Sequence, residues 1–324
     1  RYYPFSSIGS HILGYMSQNK NSGDNKVGAQ GIEALYEDLL SGELGRVVTS
    51  KNGWGMEMPS GYDMYFDAQD GYDITLTLDE RIQAMLEQSL AEGIATYDIQ
   101  NGAFGLAIDP RTGAVLAMAS TPDFDPNHYD QIINEELQRE LDAVAEEKGK
   151  DSEEYGAALS AARNKQWRNR TVSDLYEPGS VFKPITVSMG LEEGIISLDD
   201  HYYCGGVKTV GGWPIGCHKR TGHGDQTLTE AVMNSCNVAL MDIGEKIGAE
   251  TFWSYLEDYG LTETTGIDLN GEENSYLWDE DMFKSIYGES SLATGSFGQT
   301  FKVTPIQMIT AFAAVINGGH LLQP

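Results

Sequence analysis

Ser180 and Lys183, three residues apart in "YEPGSVFKPITVSMGLEEG", are the first side chains in this 324-residue chain whose types and spacing could do covalent chemistry. On a helix, positions i and i+3 share a face, so the hydroxyl and the amine can meet. A serine hydroxyl becomes a competent nucleophile when a base takes its proton, and a lysine is such a base only if burial or nearby positive charge lowers its pKa. Val181 and Phe182 supply apolar neighbours. A serine at a helix N-terminus also leaves its own backbone N–H free to face an oxyanion, as acyl transfer needs. Pro184 lacks an N–H and disfavours helical geometry at Lys183, so it is tolerable only in an opening turn. The helix is therefore expected to start here and run to Gly194, with Tyr176 a candidate to line the same cleft. Taken alone, the pair reads first as a capping serine and a surface lysine.

A second cluster strengthens the first. In "LTEAVMNSCNVALMDIGEKIG" the apolar spacing of Ala231, Val232, Ala239, Leu240 and Ile243 predicts a core-facing helix, interrupted by Ser235-Cys236-Asn237. A hydroxyl and an amide two residues apart suit a turn beside a site, where one relays a proton and the other orients an amide or a lysine. The alternative is a kinked helix end. Cys236 reads as a small buried residue.

The third cluster is "YYCGGVKTVGGWPIGCHKRTGHG". Cys204 and Cys217 are followed by His218 and His223, with Asp199, Asp200, His201 and Asp225 at the margins. A disulfide closing a loop of this length would contribute about 3 kcal/mol. Two thiolates, His223 and a fourth donor would equally suit tetrahedral zinc, the fourth being His218, Asp225 or an upstream acid. Gly205, Gly206, Gly211, Gly212 and Gly216 let the chain fold back either way, so chain geometry leaves both open, and free thiols as well. Donor supply favours zinc, because a disulfide gives His223 and its acidic neighbours no reason to converge. Such a zinc would be structural, since an activated serine needs no metal.

The elements that must hold these clusters follow from patterning. Residues 1–78 are rich in Gly, Tyr and Asp with short possible strands, ending in "YDITLTLD", whose alternation predicts a half-buried strand. Asp79 can cap a following helix with Ile82, Met85, Leu86 and Leu90 on its core face. "GAFGLAIDPRTGAVLAMAS" reads as a hairpin turning at Asp109-Pro110-Arg111-Thr112-Gly113. Residues 127–166 are charged and helix-favouring, a surface insertion; Trp167 and Arg168 are expected to pack beside the active helix. The whole is 40% hydrophobic, as a globular protein should be, and its formal charge of −28 argues against nucleic acid or an anionic membrane surface as partner. There is no run of eighteen apolar residues, so the chain reads as soluble. It starts without Met, as a piece cut from something longer would.

Ser180-Val181-Phe182-Lys183 after "YEPG" resembles the serine-x-x-lysine motif of penicillin-binding proteins, and Ser235-Cys236-Asn237 resembles their serine-x-asparagine motif. "RYYP...HILGYM", "GIEALYEDLLSGELG", "LTLDERIQ", "AIDPRTGAVLAMAS...FDPN", "WRNRTVSDLYEPGSVFKP", "TGIDLNGE" and "FGQTFKVTPIQMITAFAAVINGG" are similar, in order, to the class B high-molecular-weight transpeptidases. The resemblance implies an α+β, serine beta-lactamase-like fold, helices around an antiparallel sheet, in residues 79–324, preceded by part of a dimerisation-type stalk in 1–78. It implies a D,D-transpeptidase that cleaves D-alanyl-D-alanine, forms an acyl-serine and passes the acyl group to a neighbouring stem peptide. Beta-lactams would acylate the same serine. Ser180 would attack, Lys183 act as base, Ser235 relay the proton, and Asn237 hold Lys183 and the substrate amide. The expected partners are stem peptides, beta-lactams and a polymerising glycosyltransferase. The expected place is the outer face of the bacterial cytoplasmic membrane, anchored by an N-terminal helix outside this sequence. Some family members hold a zinc at the matching Cys, Cys and His. The family's third motif, lysine-threonine-glycine, does not occur, and Arg220-Thr221-Gly222 lies too early to replace it. The sequence therefore reads as truncated at both ends, and alone as a poor catalyst. A beta-lactam sensor would lack the stalk, and a non-catalytic scaffold would lose Ser180 or Lys183. "ATGSFGQ" leans towards division and sporulation members.

Overall fold

Asp79 begins the ordered framework around the site by capping the Glu80–Tyr97 helix, its carboxylate accepting from the N–H groups of Arg81 and Ile82 in the computed structural model, which describes residues 1–18, 26–49 and 64–324. The chain divides into two compact units. One comprises 1–77, 123–167 and 268–270; the other comprises 78–122, 168–267 and 271–324.

In the first unit, Met16–Gln18 pairs with Lys26–Gly28 and Arg46–Val48 with Met64–Phe66, both antiparallel. Any short strands expected over 19–25 and 50–63 lie outside the described residues. Tyr15 stacks on Tyr129 with centroids 4.3 Å apart and meets Phe124 edge-on at 5.7 Å. The stretch 127–166 forms the helices Glu135–Lys148 and Glu153–Trp167, which bury Leu137, Leu141 and Ala162. It clusters with residues 1–77. Trp167 donates its indole N–H to the Tyr129 carbonyl at 2.8 Å and packs with Tyr15 and Tyr129, so its partners lie in this unit and not, as expected, on the helix that carries Lys183.

In the second unit the hairpin forms as read, Phe104–Ile108 against Val115–Ser120. Its turn places Gly113 at φ 80°, and Arg111 grips the Asp109 carboxylate through two N–H donors at 3.0 and 2.8 Å. That grip, with the Arg111 backbone N–H, pulls the Asp109 carboxyl down to about 2. The strand expected over 73–79 does not form. Ile74, Leu76 and Leu78 alternate in burial as predicted, but the backbone forms no strand, and at its end Asp79 donates its N–H to the carbonyl of Leu116 in the strand Val115–Ser120 at 2.9 Å. Alternation fixes which side packs; a ladder also needs successive backbone hydrogen bonds to a neighbour. The capped helix differs too. Met85 is 69% exposed, and the central buried residue is Gln83, which exchanges two 2.8 Å hydrogen bonds with the Met118 backbone.

The core lies around the Asn237–Ile247 helix, where Ala239, Leu240 and Ile243 are buried as their spacing predicts and Met241 is buried as well, while Val232 one element earlier is exposed. This helix packs on Lys183–Glu192, Ala249–Asp258 and Glu289–Gly295. Gly244 permits the last approach, since a Cβ there would sit 2.7 Å from the Ser296 Cβ. Phe182, Phe252, Phe283 and Phe301 form the aromatic centre, all fully buried or nearly so. Two further antiparallel pairs, His201–Cys204 with Gly224–Thr227 and Val207–Val210 with Trp213–Gly216, arise in the glycine-rich stretch where no strand was expected. Phe252→Ala should lower the unfolding free energy by about 3–5 kcal/mol through the cavity it leaves. Met233→Ala, at a side chain 79% exposed, should change it by less than about 0.5 kcal/mol. Chemical denaturation showing equal effects would refute this placement of the core.

Candidate active site

Pro178, at φ −65°, and Gly179, at φ 59°, turn the chain into a short 3-10 segment, Gly179–Phe182, that runs straight into the Lys183–Glu192 helix. Pro184 falls in the first turn of that helix, where a missing N–H breaks no helical bond. Ser180 is left exposed at the start and Lys183, one turn on, is buried at 2% exposure.

Facing them, the Leu228–Met233 helix is opened by a capping box between Thr227 and Glu230 and stops before Ser235. Ser235 adopts φ 49°, a left-handed conformation uncommon for a residue with a side chain, and Asn237 opens the next helix. Strain of this kind costs about 1–3 kcal/mol and persists where the surroundings over-determine it. Here its effect is visible in distances. The Lys183 Nζ donates to the Ser235 carbonyl at 2.7 Å, the Ser235 Oγ at 2.8 Å and the Asn237 Oδ1 at 2.7 Å. The Ser235 Oγ in turn donates to the Ser180 Oγ at 2.9 Å. All four residues singled out in the sequence therefore meet, with Ser235 as the link between nucleophile and amine.

Lys183 is pushed down to about 8 by burial, with the negative character of Cys217 and Cys236 opposing. Three acceptors match the three protons of an ammonium group. Tyr176 does not enter this hydrogen-bonded set. Its backbone pairs with Val303, its ring packs edge-on against Phe104 at 5.9 Å, and burial raises its phenol. Arg168 holds the Asp174 carboxylate at 2.6 Å and the Ser173 carbonyl at 2.9 Å, a packing role.

Behind the serine turn, Cys204, Cys217, His223 and Cys236 bring their ligand atoms within 4.8 Å of one another. All three cysteines are free thiols, so the Cys204–Cys217 disulfide considered as an alternative is not formed. The fourth member is Cys236, where His218 or Asp225 was expected. His218 Nδ1 stands 3.8 Å from the Cys217 sulfur, and Asp225 is exposed and paired with His201 at 3.5 Å. The signal for Cys236 was the count of three cysteines, one too many for a lone pair. Burial raises the Cys217 thiol, but the backbone N–H groups of Lys219, Asn237 and Val238 outweigh it and leave the group below its usual range. Cys236, by contrast, is pushed up to about 11 by burial. His223 is lowered by burial, then by the nearby charges of His218, Lys219 and Lys183, which favours the neutral imidazole that binds metals.

Residues 103–324 match the family model described as the penicillin binding protein transpeptidase domain, and residues 1–76 match the penicillin-binding protein dimerisation domain. The chain belongs to the penicillin-binding protein transpeptidase family, an α+β fold of helices around small antiparallel sheets, preceded in sequence by a dimerisation domain. Among its relatives is the stage V sporulation protein D of Bacillus subtilis, 37% identical over 325 residues, covering all of this chain and 44% of that protein. Another is the peptidoglycan D,D-transpeptidase MrdA of Escherichia coli K12, 28% identical over 351 residues, covering all of this chain and 50% of that protein. The chain thus spans about half the length of the curated relatives it matches. Among solved structures, Pseudomonas aeruginosa PBP2 in complex with WCK 5153 superimposes with a TM-score of 0.74 at 27% identity, covering all of this chain and 66% of that one. Helicobacter pylori PBP2, in complex with MreC, gives 0.72 at 25% identity, covering all of this chain and 58% of that one.

The burial of Lys183 yields a direct measurement. Its side chain, followed by NMR through 13C at Cε, should titrate with a midpoint near 8. A midpoint close to the ordinary lysine value of about 10.4 would contradict the buried site.

Proposed function

We propose that this chain is the catalytic part of a class B high-molecular-weight D,D-transpeptidase, which cross-links peptidoglycan stem peptides through an acyl-serine on Ser180. The observation that carries the reading is the continuous hydrogen-bonded line from Ser180 through Ser235 to Lys183 and Asn237. In the reactive state Lys183 is the neutral amine. The Ser180 proton passes to Ser235, whose own proton passes to Lys183, while the Ser180 Oγ forms a bond to the carbonyl carbon of the penultimate D-alanine. As the tetrahedral intermediate collapses, the C–N bond breaks and the terminal D-alanine leaves with a proton returned along the same line. The amine of a second stem peptide then attacks the acyl-serine and releases Ser180. A beta-lactam enters the same cycle at its first step. The family's lysine-threonine-glycine motif, which would bind the substrate carboxylate and complete the oxyanion hole, is not among these 324 residues.

The same reading places the full-length protein at the outer face of the cytoplasmic membrane, anchored by an N-terminal helix and working beside a polymerising glycosyltransferase. Among the described residues no helix is long and apolar enough to cross a membrane. The name of the Bacillus subtilis relative and the "ATGSFGQ" stretch both lean towards a sporulation or division role.

We also propose that Cys204, Cys217, Cys236 and His223 hold a structural zinc. Three buried sulfurs and an imidazole nitrogen within 4.8 Å are a donor set suited to tetrahedral zinc. Bound, the ion would deprotonate the thiols and lock the glycine-rich strands 201–227 to the turn that carries Ser235.

Two measurements test these readings. The full-length protein should form a beta-lactam adduct at Ser180, mapped by mass spectrometry, with a rate that rises with pH through about 8 as Lys183 loses its proton. Undiminished labelling in Ser180→Ala, or a rate that falls across that range, would overturn the assignment. Elemental analysis of protein purified without added metal should find about one zinc per chain, reduced in Cys236→Ser. A sulfur–sulfur bond near 2.05 Å between any two of the cysteines would rule the site out.

A further inference from the structure

One loop, 295–301, contacts the residues on both sides of the nucleophile in sequence. Gly298 stands at φ 84° directly over the turn that precedes Ser180, and its carbonyl accepts the Gly179 N–H at 2.7 Å. The approach is so close that a Cβ on Gly298 would sit 2.1 Å from the Gly179 carbonyl oxygen. Three residues on, Phe301 is fully buried and meets Phe182 edge-on at 5.0 Å, which seats the loop on one of the two residues between Ser180 and Lys183. The Thr186 hydroxyl, one turn beyond Lys183, donates to the Ser296 carbonyl at 2.9 Å.

The remaining contact is the unusual one. Thr300 adopts φ 68°, a left-handed backbone that threonine, being β-branched, rarely takes. In that conformation its backbone N–H points at the Glu177 carboxylate, three residues ahead of Ser180, and donates to Oε1 at 3.1 Å. Its hydroxyl is held separately, against the Thr294 hydroxyl at 2.6 Å and the Gln299 carbonyl at 2.6 Å. Pro178 and Gly179 are the only residues between Glu177 and the nucleophile. Glu177 is exposed, so it has no burial of its own to fix its place.

We infer that Glu177 is a positioning residue for the acyl transfer: by accepting the Thr300 N–H it ties the Pro178-Gly179 turn to the 295–301 loop and fixes where the Ser180 hydroxyl points. The inference rests on the acyl-serine reading of the site, and Glu177 itself touches none of the reacting atoms. Its carboxylate serves as an acceptor of fixed reach. A carboxylate strengthens a bond from a neutral amide, but an uncharged acceptor of the same reach still makes it.

The distinction between acceptor and charge supplies the experiment. In the full-length protein, beta-lactam acylation of Ser180 is resolved into a binding constant and a first-order acylation rate, alongside thermal melting. Glu177→Gln keeps an acceptor oxygen at the same reach and should acylate within about threefold of the unsubstituted protein. Glu177→Asp keeps the charge but falls one methylene short, and should slow the first-order step by roughly 10- to 100-fold, with the binding constant little changed, the penalty for a misplaced reacting group. Thr300→Gly, which keeps the N–H and suits φ 68°, should acylate normally and melt no lower. If Glu177→Asp acylates normally, or if Glu177→Gln is as slow as Glu177→Asp with both melting normally, the inference is overturned. Failure of the unsubstituted protein to acylate at Ser180 would be a separate result, removing the reading of the site and this inference with it.

Discussion

An amine buried to 2% exposure cannot stay in place unless every proton it carries finds an acceptor, and that requirement organises the second unit. Lys183 meets it with three oxygens from one short turn, Ser235 to Asn237. The turn must leave the preceding helix, pass through a left-handed residue and start a new helix within a few positions. The new helix is the centre of the hydrophobic core. The placement of one charge thus dictates where the helices of this unit break and meet.

The start of the Asn237–Ile247 helix serves two clusters at once. Asn237 offers its side-chain oxygen to Lys183, while its backbone N–H and that of Val238 point at the Cys217 sulfur. The Asn237 amide also donates to the Gly216 carbonyl at 3.4 Å, next to Cys217 in the chain. Lysine and sulfur cluster therefore lean on the same few peptide units. A change in the charge of the sulfurs is felt at Lys183 through space, since Cys217 and Cys236 both favour its protonated form.

What could be read in the sequence was what depends on local spacing. Ser180 and Lys183 are one helical turn apart, Asp79 stands just ahead of a helix, and Asp109 to Gly113 carry turn chemistry; all three formed as read, though the face that helix buries centres on Gln83 and not on Met85. What escaped reading depends on partners distant in sequence. The strands of 201–227 are rich in glycine and owe their pairing to one another, and residues 73–79 have strand alternation without forming a strand. Cys236 was legible as small and buried, but its role depends on sulfurs that folding brings from Cys204 and Cys217. The Glu177 to Thr300 contact spans 123 residues, and no local pattern announces it.

Phe182 sits between the two reactive side chains and is itself fully buried against Phe252 and Phe301. The hydroxyl and the amine are thus mounted on the same piece of core, which sets the backbone spacing between them while the exposed Glu177 contact sets the hydroxyl's direction. On heating, the chemistry and the aromatic centre should disappear together, in a single cooperative event. The Asp109 to Gly113 turn is held from outside its own hairpin as well, with Gly113 buried against Gln323 and the Pro110 carbonyl accepting from the Asn317 amide at 2.9 Å.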